Sequence, residues 1–318
     1  MNNDTIHDPD VHIILLNWNN SEETLTCLRS LTKVSYNNFQ VVVVDNGSTD
    51  NSIEKLESFR SSNPVYPIII LKNEENKGFA GGNNTGFEYS LKEGVEYVLI
   101  LNNDTTTDAM FLSELVETAE KNKDVGVVGA AVYFTEPRNL LWFGGDTKIE
   151  WRKMADSMSC ELFRKELPEF MPPLEVSFIT GACMLFKREV LEKVKGFDER
   201  FFLYFEDADL SFRISKAGYK LMWNPKARIW HKVSATTLTQ VGSPKLHYYH
   251  TRNVLLLGDK HAPSWMKIYK PLWSIFQLSK QSLKVALGIH RDVSMGIIRG
   301  ILDYYRKRFG QYEKIHNK

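Results

Sequence analysis

Five short apolar runs, alternating with helical patterns, constrain this chain more than any other feature. They cover residues 11–16, 41–44, 68–71, 97–101 and 125–132. Between them, Leu25, Leu28 and Leu31 follow a helix start at Ser21, and residues 53–59, 83–91 and 111–119 carry helical spacing. Strand and helix in alternation build a doubly wound, mostly parallel α/β sheet of Rossmann-like kind. Ligands of such sheets bind beyond the carboxyl ends of the strands. The residues there are Asn17, then Asp45, then Asn76-Lys77-Gly78, then Asn102-Asn103-Asp104. Polar and acidic groups thus collect along one edge.

The remaining chain is less regular. Residues 179–186 read as a strand with Gly181 inside it, 189–194 as a short helix, and 219–223 and 227–231 as two strands around Pro225. Residues 161–173 read as a loop. From Tyr248 a helical tail begins, and Trp265, Ile268, Leu272, Ile275, Leu278, Leu283, Ile297, Ile301 and Tyr305 recur at helical spacing. With 318 residues and a 43% hydrophobic share the chain can bury a real core. We divide it into a catalytic domain over 1–244, with halves 10–135 and 136–244, and a helical, basic and aromatic region over 245–318.

Charge sharpens that division. Residues 245–318 carry 14 Lys and Arg against 4 Asp and Glu, a net +10, whereas residues 1–244 carry 26 against 35, a net −9. A basic, aromatic tail points to an anionic partner such as a membrane surface or a lipid-phosphate acceptor. Nucleic acid is not expected, because no reading motif accompanies the charge. The tail pattern suits an interfacial helix pair, and equally helices packed on the body or in a homodimer. Cys27, Cys160 and Cys183 lack metal-type spacing and point to a reducing compartment. Residues 1–10 lack a signal-peptide pattern, and no apolar run is long enough to cross a bilayer. A cytoplasmic protein, peripheral on the inner face of the membrane, is the expectation.

Four stretches carry chemistry. In residues 196–217, six aromatics between Phe197 and Phe212 surround Glu206, Asp207 and Asp209. Acids at a helix start complement its dipole, but a carboxylate walled by aromatics also suits a general base. Asp45, at a strand end, can accept from a nucleobase imide or a ribose hydroxyl, whereas residues 46–50 serve as a turn and cap. The glycine-rich stretch 78–86, including Gly82, lets backbone approach a ligand, with Lys77 and Asn83 able to meet a diphosphate or base. A plain loop-to-helix turn explains it equally well. It is neither a dinucleotide fingerprint nor a Walker loop. Asn102 and Asp104 suit Mg2+ or Mn2+. His231 is a fair Mn2+ ligand, though a lone histidine is more often structural, and nothing in the sequence pairs it with Asp104.

Together these residues resemble the inverting glycosyltransferases of family 2, of GT-A fold, especially the rhamnosyltransferase-like branch. The matching stretches are Leu16-Asn17-Trp18-Asn19, Val44 through Asp50, Asn76 through Asn84, Leu101-Asn102-Asn103-Asp104, Gly181-Ala182-Cys183-Met184, and Gly196 through Glu199 with Glu206 through Leu210. The resemblance covers about residues 10–260. It implies a nucleotide diphosphate sugar donor, dTDP-rhamnose or a UDP-hexose, and a glycan or lipid-linked acceptor. Asp45 would contact base or ribose, with Asn17, Asn76, Asn103 and Glu206 also on the substrate side. Asp104 would bind the metal, helped by Asn102 and His231, and Asp207 would deprotonate the acceptor. Arg252-Asn253 resembles a recurrent pair in this branch, without an assigned role. Asn102 replaces the first acid of the family's D-x-D, which implies weak or donor-dependent metal binding. A non-catalytic carbohydrate- or membrane-binding module and, further off, a sugar-nucleotide pyrophosphorylase are the alternatives; the latter would want a basic, glycine-rich loop where Asn17 through Glu23 is acidic.

Overall fold

Each of the five apolar runs forms a strand of one sheet. The computed structural model describes residues 8–145, 147–158, 167, 171–232 and 243–316. Most of the expected loop over 161–173, Cys160 and the leader residues 1–7 lie outside these. The first half runs β1 (Val11–Asn17), α1 (Ser21–Leu31), β2 (Phe39–Asp45), α2 (Ser52–Ser61), β3 (Ile68–Lys72), α3 (Gly78–Glu93), β4 (Tyr97–Leu101), β5 (Thr105–Thr107), α4 (Phe111–Glu120) and β6 (Val125–Phe134). Then come β7 (Leu141–Phe143), β8 (Thr147–Glu150), β9 (Ala155–Met158), β10 (Leu174–Val176), β11 (Cys183–Lys187), α5 (Arg188–Val194), α6 (Glu206–Lys216) and β12 (Lys220–His231). The tail is α7 (Pro244–His261), α8 (Met266–Ala286), α9 (Arg291–Tyr305) and α10 (Tyr312–His316).

The strand order is β10-β12-β6-β11-β4-β1-β2-β3. Strands β3, β2, β1 and β4 are parallel, β11 runs antiparallel between β4 and β6, and β12 returns parallel to β6. Ile13, Ile14, Leu15 and Val41 through Val44 are fully buried, as strands covered on both faces must be. A second apolar cluster joins Phe201, Phe205 and Ala208 to Val254, Leu255 and Leu257 of α7, and so seats the tail helices against the start of α6.

The structure corrects the sequence reading in three places. Helix α3 begins at Gly78, not Asn83, so the glycine-rich stretch is helical. Its glycines serve packing: a Cβ on Gly82 would run into the Leu16 side chain, and one on Gly86 would lie 2.7 Å from Ile14 Cγ2. Close approach of α3 to β1 outweighs the poor helix propensity of glycine. The two strands expected around Pro225 are one strand, β12, whose register shifts between Asn224 and Arg228 and accommodates the proline. Strand β11 starts at Cys183, which leaves Gly181 outside the ladder.

Helix α9 lies on α7 through Gly296 and Gly300. A Cβ on Gly296 would meet the Pro244 carbonyl oxygen, and one on Gly300 would lie 2.7 Å from the Tyr248 carbonyl oxygen. Backbone cannot move aside as a side chain can. Gly296→Ala is therefore expected to destabilise the protein by about 1–3 kcal/mol, read as a lower urea midpoint.

Candidate active site

The strand ends of β1 and β2 lie side by side, with Asn17 opposite Asp45. Asp45 is fully buried. Its Oδ1 accepts the Ser48 N–H at 3.0 Å, while Oδ2 is buried without a partner. An unpaired buried carboxylate oxygen is costly, and this one can still accept a further donor. Asn17 and Asn103, by contrast, are engaged with the protein. Asn103 Nδ2 donates to Thr24 Oγ1 at 2.8 Å, Thr24 Oγ1 donates to Asn17 Oδ1 at 2.8 Å, and Asn17 Nδ2 donates to Ser48 Oγ at 3.2 Å. The chain of bonds laces the ends of β1, β2 and β4 to α1.

Asn46, read from sequence as a turn residue, is a second lacing point. Its Nδ2 donates to Asn76 Oδ1 at 3.1 Å and to the Gly78 carbonyl at 3.0 Å, and its Oδ1 accepts from Asn73 Nδ2 and the Lys77 N–H. Asn76 Oδ1 also accepts the Gly78 N–H at 2.7 Å. Asn83 Nδ2 donates to the Phe79 carbonyl one turn back. Lys77 is exposed at the start of α3. The first-turn N–H groups of that helix are not free for a diphosphate: Phe79 N–H donates to the Phe202 carbonyl at 2.7 Å, and Ala80 N–H to the same oxygen.

The short turn after β4 carries Asn102 and Asp104. Strand β5 then pairs with β12, so that His231 stands opposite Thr105 and beside Asp104. His231 Nε2 lies 2.9 Å from Asp104 Oδ1, and the Asn102 amide nitrogen lies 3.3 Å from the same Nε2. The Trp142 ring meets the imidazole edge-on at 5.0 Å, and Nδ1 is buried without a partner. Thus the strand pairing brings together two residues that the family resemblance had placed on one metal. Among the described residues no group of three or more His, Cys, Asp and Glu is suited to a metal. One carboxylate and one imidazole fit a divalent cation that takes its other ligands from a substrate.

The three acids at the start of α6 have three different surroundings. Glu206 is buried and its Oε2 lacks a partner. Burial, then the charge of Asp207, push its carboxyl well above the ordinary value, which favours its neutral form. Asp209 is fully buried too, and burial opposes its charge. The bond from His261 Nε2 at 2.7 Å, with Arg213 and Lys260 at 2.7 and 2.6 Å, outweighs burial and holds it below the usual carboxylate range. Asp207 is half-buried. Its Oδ2 accepts the Gly181 N–H at 3.0 Å and its Oδ1 the Ala208 N–H at 2.8 Å, which aim the carboxylate. Of the three, Asp207 is the one that solvent or a substrate can reach.

The backbone just before these acids is strained. Phe202, Tyr204 and Phe205 have φ of +64°, +70° and +69°, at about 1–2 kcal/mol each for residues with a Cβ. Arg252 and Asn253, fully buried on α7, hold this turn. Asn253 Nδ2 lies 2.9, 2.7 and 2.9 Å from the carbonyls of Phe201, Leu203 and Tyr204. Arg252 Nη2 donates to the carbonyls of Phe201 and Arg200 at 2.9 and 3.2 Å. The pair that had no role in the sequence reading is a backbone clamp.

A GT-A arrangement, with its sheet edge and acid-bearing helix, is thus present. Residues 12–195 match the family model for glycosyl transferase family 2, and residues 161–237 the one described as the N-terminal domain of galactosyltransferase. The first match spans more than half of the chain, which therefore belongs to glycosyl transferase family 2. It is an enzyme of the hexosyltransferase class. The N-acetylglucosaminyl-diphospho-decaprenol L-rhamnosyltransferase of Mycobacterium tuberculosis is 26% identical over 257 residues, 75% of this chain and 80% of that protein. A poly-beta-1,6-N-acetyl-D-glucosamine synthase of Staphylococcus epidermidis is 24% identical over 277 residues, 87% of this chain and 60% of the synthase. An uncharacterized protein of Sinorhizobium fredii is 28% identical over 217 residues, 65% of this chain but 22% of its own length. In fold the chain is similar to a mannosyltransferase of Pyrobaculum calidifontis solved with GDP-Man and Mn2+, at TM-score 0.60 and 16% identity, covering 95% of this chain and 89% of that one.

Two predictions arise from the start of α6. Folding raises the Glu206 carboxyl well above its ordinary value of 4.5. Its stabilising contribution is complete below that value and is lost as pH rises through the raised folded value. Glu206→Gln should therefore gain stability relative to wild type as pH increases above 4.5, seen in paired thermal melts across pH. Asn253→Ala should cost about 1–3 kcal/mol by leaving buried carbonyls unpaired, and should lower kcat more than it raises the donor KM, because the turn that sets Asp207 is released. Equal effects on kcat and KM would place the clamp outside the acid's positioning.

Proposed function

We propose that the chain is an inverting transferase that moves a sugar from a nucleoside diphosphate sugar to a hydroxyl of a glycan or lipid-linked acceptor. The observation that carries this reading is the sorting of the three α6 acids, which leaves Asp207 alone reachable and aimed by two backbone N–H groups. Asp207 takes the proton of the acceptor hydroxyl as its oxygen attacks the anomeric carbon. The bond from that carbon to the diphosphate breaks, and the nucleoside diphosphate leaves with the bonding pair. One in-line displacement inverts the centre and needs no protein nucleophile.

Asp45 supports the donor assignment, since its unpaired Oδ2 suits an imide N–H or a ribose hydroxyl. Asp104 and His231 are the residues that would hold a Mg2+ or Mn2+, whose chemistry there is to offset charge on the diphosphate. Asn17, Asn76, Asn83, Asn103 and Gly82 act in this reading by shaping the edge on which the donor rests. The Mycobacterium tuberculosis relative, by its name a rhamnosyltransferase acting on a lipid diphosphate sugar, favours a deoxyhexosyl donor and a lipid-linked acceptor.

A panel of UDP-, dTDP- and GDP-sugars, each with and without Mn2+ or Mg2+, tests the reading through nucleotide release. One donor should be hydrolysed slowly, faster with metal. Asp207→Asn should lower transfer by about 10²–10⁴-fold with donor affinity nearly unchanged. Turnover of that variant at the wild-type rate would remove Asp207 from the role of base.

A further inference from the structure

Helix α8 is amphipathic with its faces reversed for a helix in water. Trp265, Ile268, Leu272, Ile275, Phe276 and Leu283 are 43–72% exposed. At about 100° per residue they share an arc of about 100° on one side of the helix. The four buried residues of α8 are Met266, Lys270, Ser274 and Gln281, of which three are polar. Each polar one is held from the protein side. Lys270 Nζ pairs with Asp259 and donates to Tyr304 Oη at 2.6 Å; Ser274 Oγ accepts the Tyr305 hydroxyl at 3.1 Å; Gln281 Oε1 accepts the Ser294 hydroxyl at 3.0 Å. Rolling the helix to hide its apolar stripe would unpair a buried ammonium, so the orientation is locked.

An apolar face of this extent, held outward, needs a cover. No helix among the described residues is long and apolar enough to cross a membrane, so α8 does not span one. Charge selects the cover. Residues 260–291 hold six Lys and Arg and no Asp or Glu. Lys267 and Lys280 are exposed on either flank of the stripe. A second copy docked by the same face would bring two basic, acid-free patches together, because an isologous interface buries the same surface on both copies. Anionic headgroups would instead meet those lysines while the stripe enters the acyl boundary.

We propose that this face of α8 docks in the plane of an anionic lipid bilayer. The docking does not depend on the sugar-transfer reading, because vesicle binding needs no donor, acceptor or turnover. The full chain should float with phosphatidylcholine vesicles that contain phosphatidylglycerol, and far less with phosphatidylcholine alone. The Leu272→Ser, Phe276→Ser double variant should bind the anionic vesicles at least about a hundredfold more weakly. The Lys267→Glu, Lys280→Glu double variant should lose about tenfold or more on the same vesicles. Both alter outward-facing side chains, so their thermal melts should match wild type. Absence of wild-type binding to the anionic vesicles would overturn the proposal, as would undiminished binding by the Leu272, Phe276 variant. A dimer in light scattering that this variant dissociates, without vesicle binding, would assign the face to a second copy instead.

Discussion

The clamp of Arg252 and Asn253 on the turn before α6 is the interaction on which most of this architecture rests. Three left-handed aromatic residues in that turn cost several kcal/mol in sum, at about 1–2 each. Carbonyl bonds from a charged donor contribute about 1.5–3 kcal/mol each, so two from Arg252, with those of Asn253, match the strain in size. The turn also meets the other half of the molecule, because the Phe202 carbonyl caps the first N–H groups of α3. One strained carbonyl run thus joins the donor-side helix, the acid-bearing helix and the tail. The tail is in this sense part of the site's framework, since α7 supplies both clamp residues and, at its end, the Lys260 and His261 that bind Asp209.

Environment, not residue type, separates the three acids of α6. Glu206 lacks a partner for one oxygen and is pushed toward its neutral form; Asp209 gathers three basic groups and is held below the usual carboxylate range; Asp207 rests between Gly181 and Ala208 with a face to the outside. A base needs access and a fixed aim, and only the middle residue has both. The neighbours also help one another. Burial and the charge of Asp207 both disfavour a charged Glu206, while the buried Asp209 network fixes the helix that bears Asp207. Loss of either neighbour would act on the proposed base without touching a substrate.

Much of this was legible along the chain. The parallel strands and the polar edge followed from apolar runs and what comes after each, since both are local patterns. The partners were not legible, because they come from afar. Gly181 reaches Asp207 only because β11 starts late; His231, joined to Asp104 beforehand by the family resemblance alone, reaches it because β12 continues past Pro225 and pairs with β5. Asn17, Asn46 and Asn103 looked like ligand contacts or turn formers, and the structure employs their amides to lace strand ends together. The glycines of α3 left two readings open for a related reason. A glycine-rich stretch after a strand lets backbone approach a ligand, but a helix pressed on Leu16 and Ile14 requires the same residues.

The tail shows the limit of periodicity most plainly. The spacing of Ile268, Leu272, Ile275 and Leu283 establishes that an apolar stripe exists, but a stripe is the same pattern whether it faces a core or the outside. The missing fact is which way the helix is turned, and that is decided by the few polar residues on its other side. Lys270 beside Asp259 and Tyr304, with Ser274 and Gln281 in the same row, gives the polar face its own place to be buried. Buried polar residues are seldom the most economical way to pack a helix, because well-shaped apolar side chains would serve stability as well or better. Their presence on the inner face, opposite an outward apolar stripe, is understandable if the stripe is needed where it is.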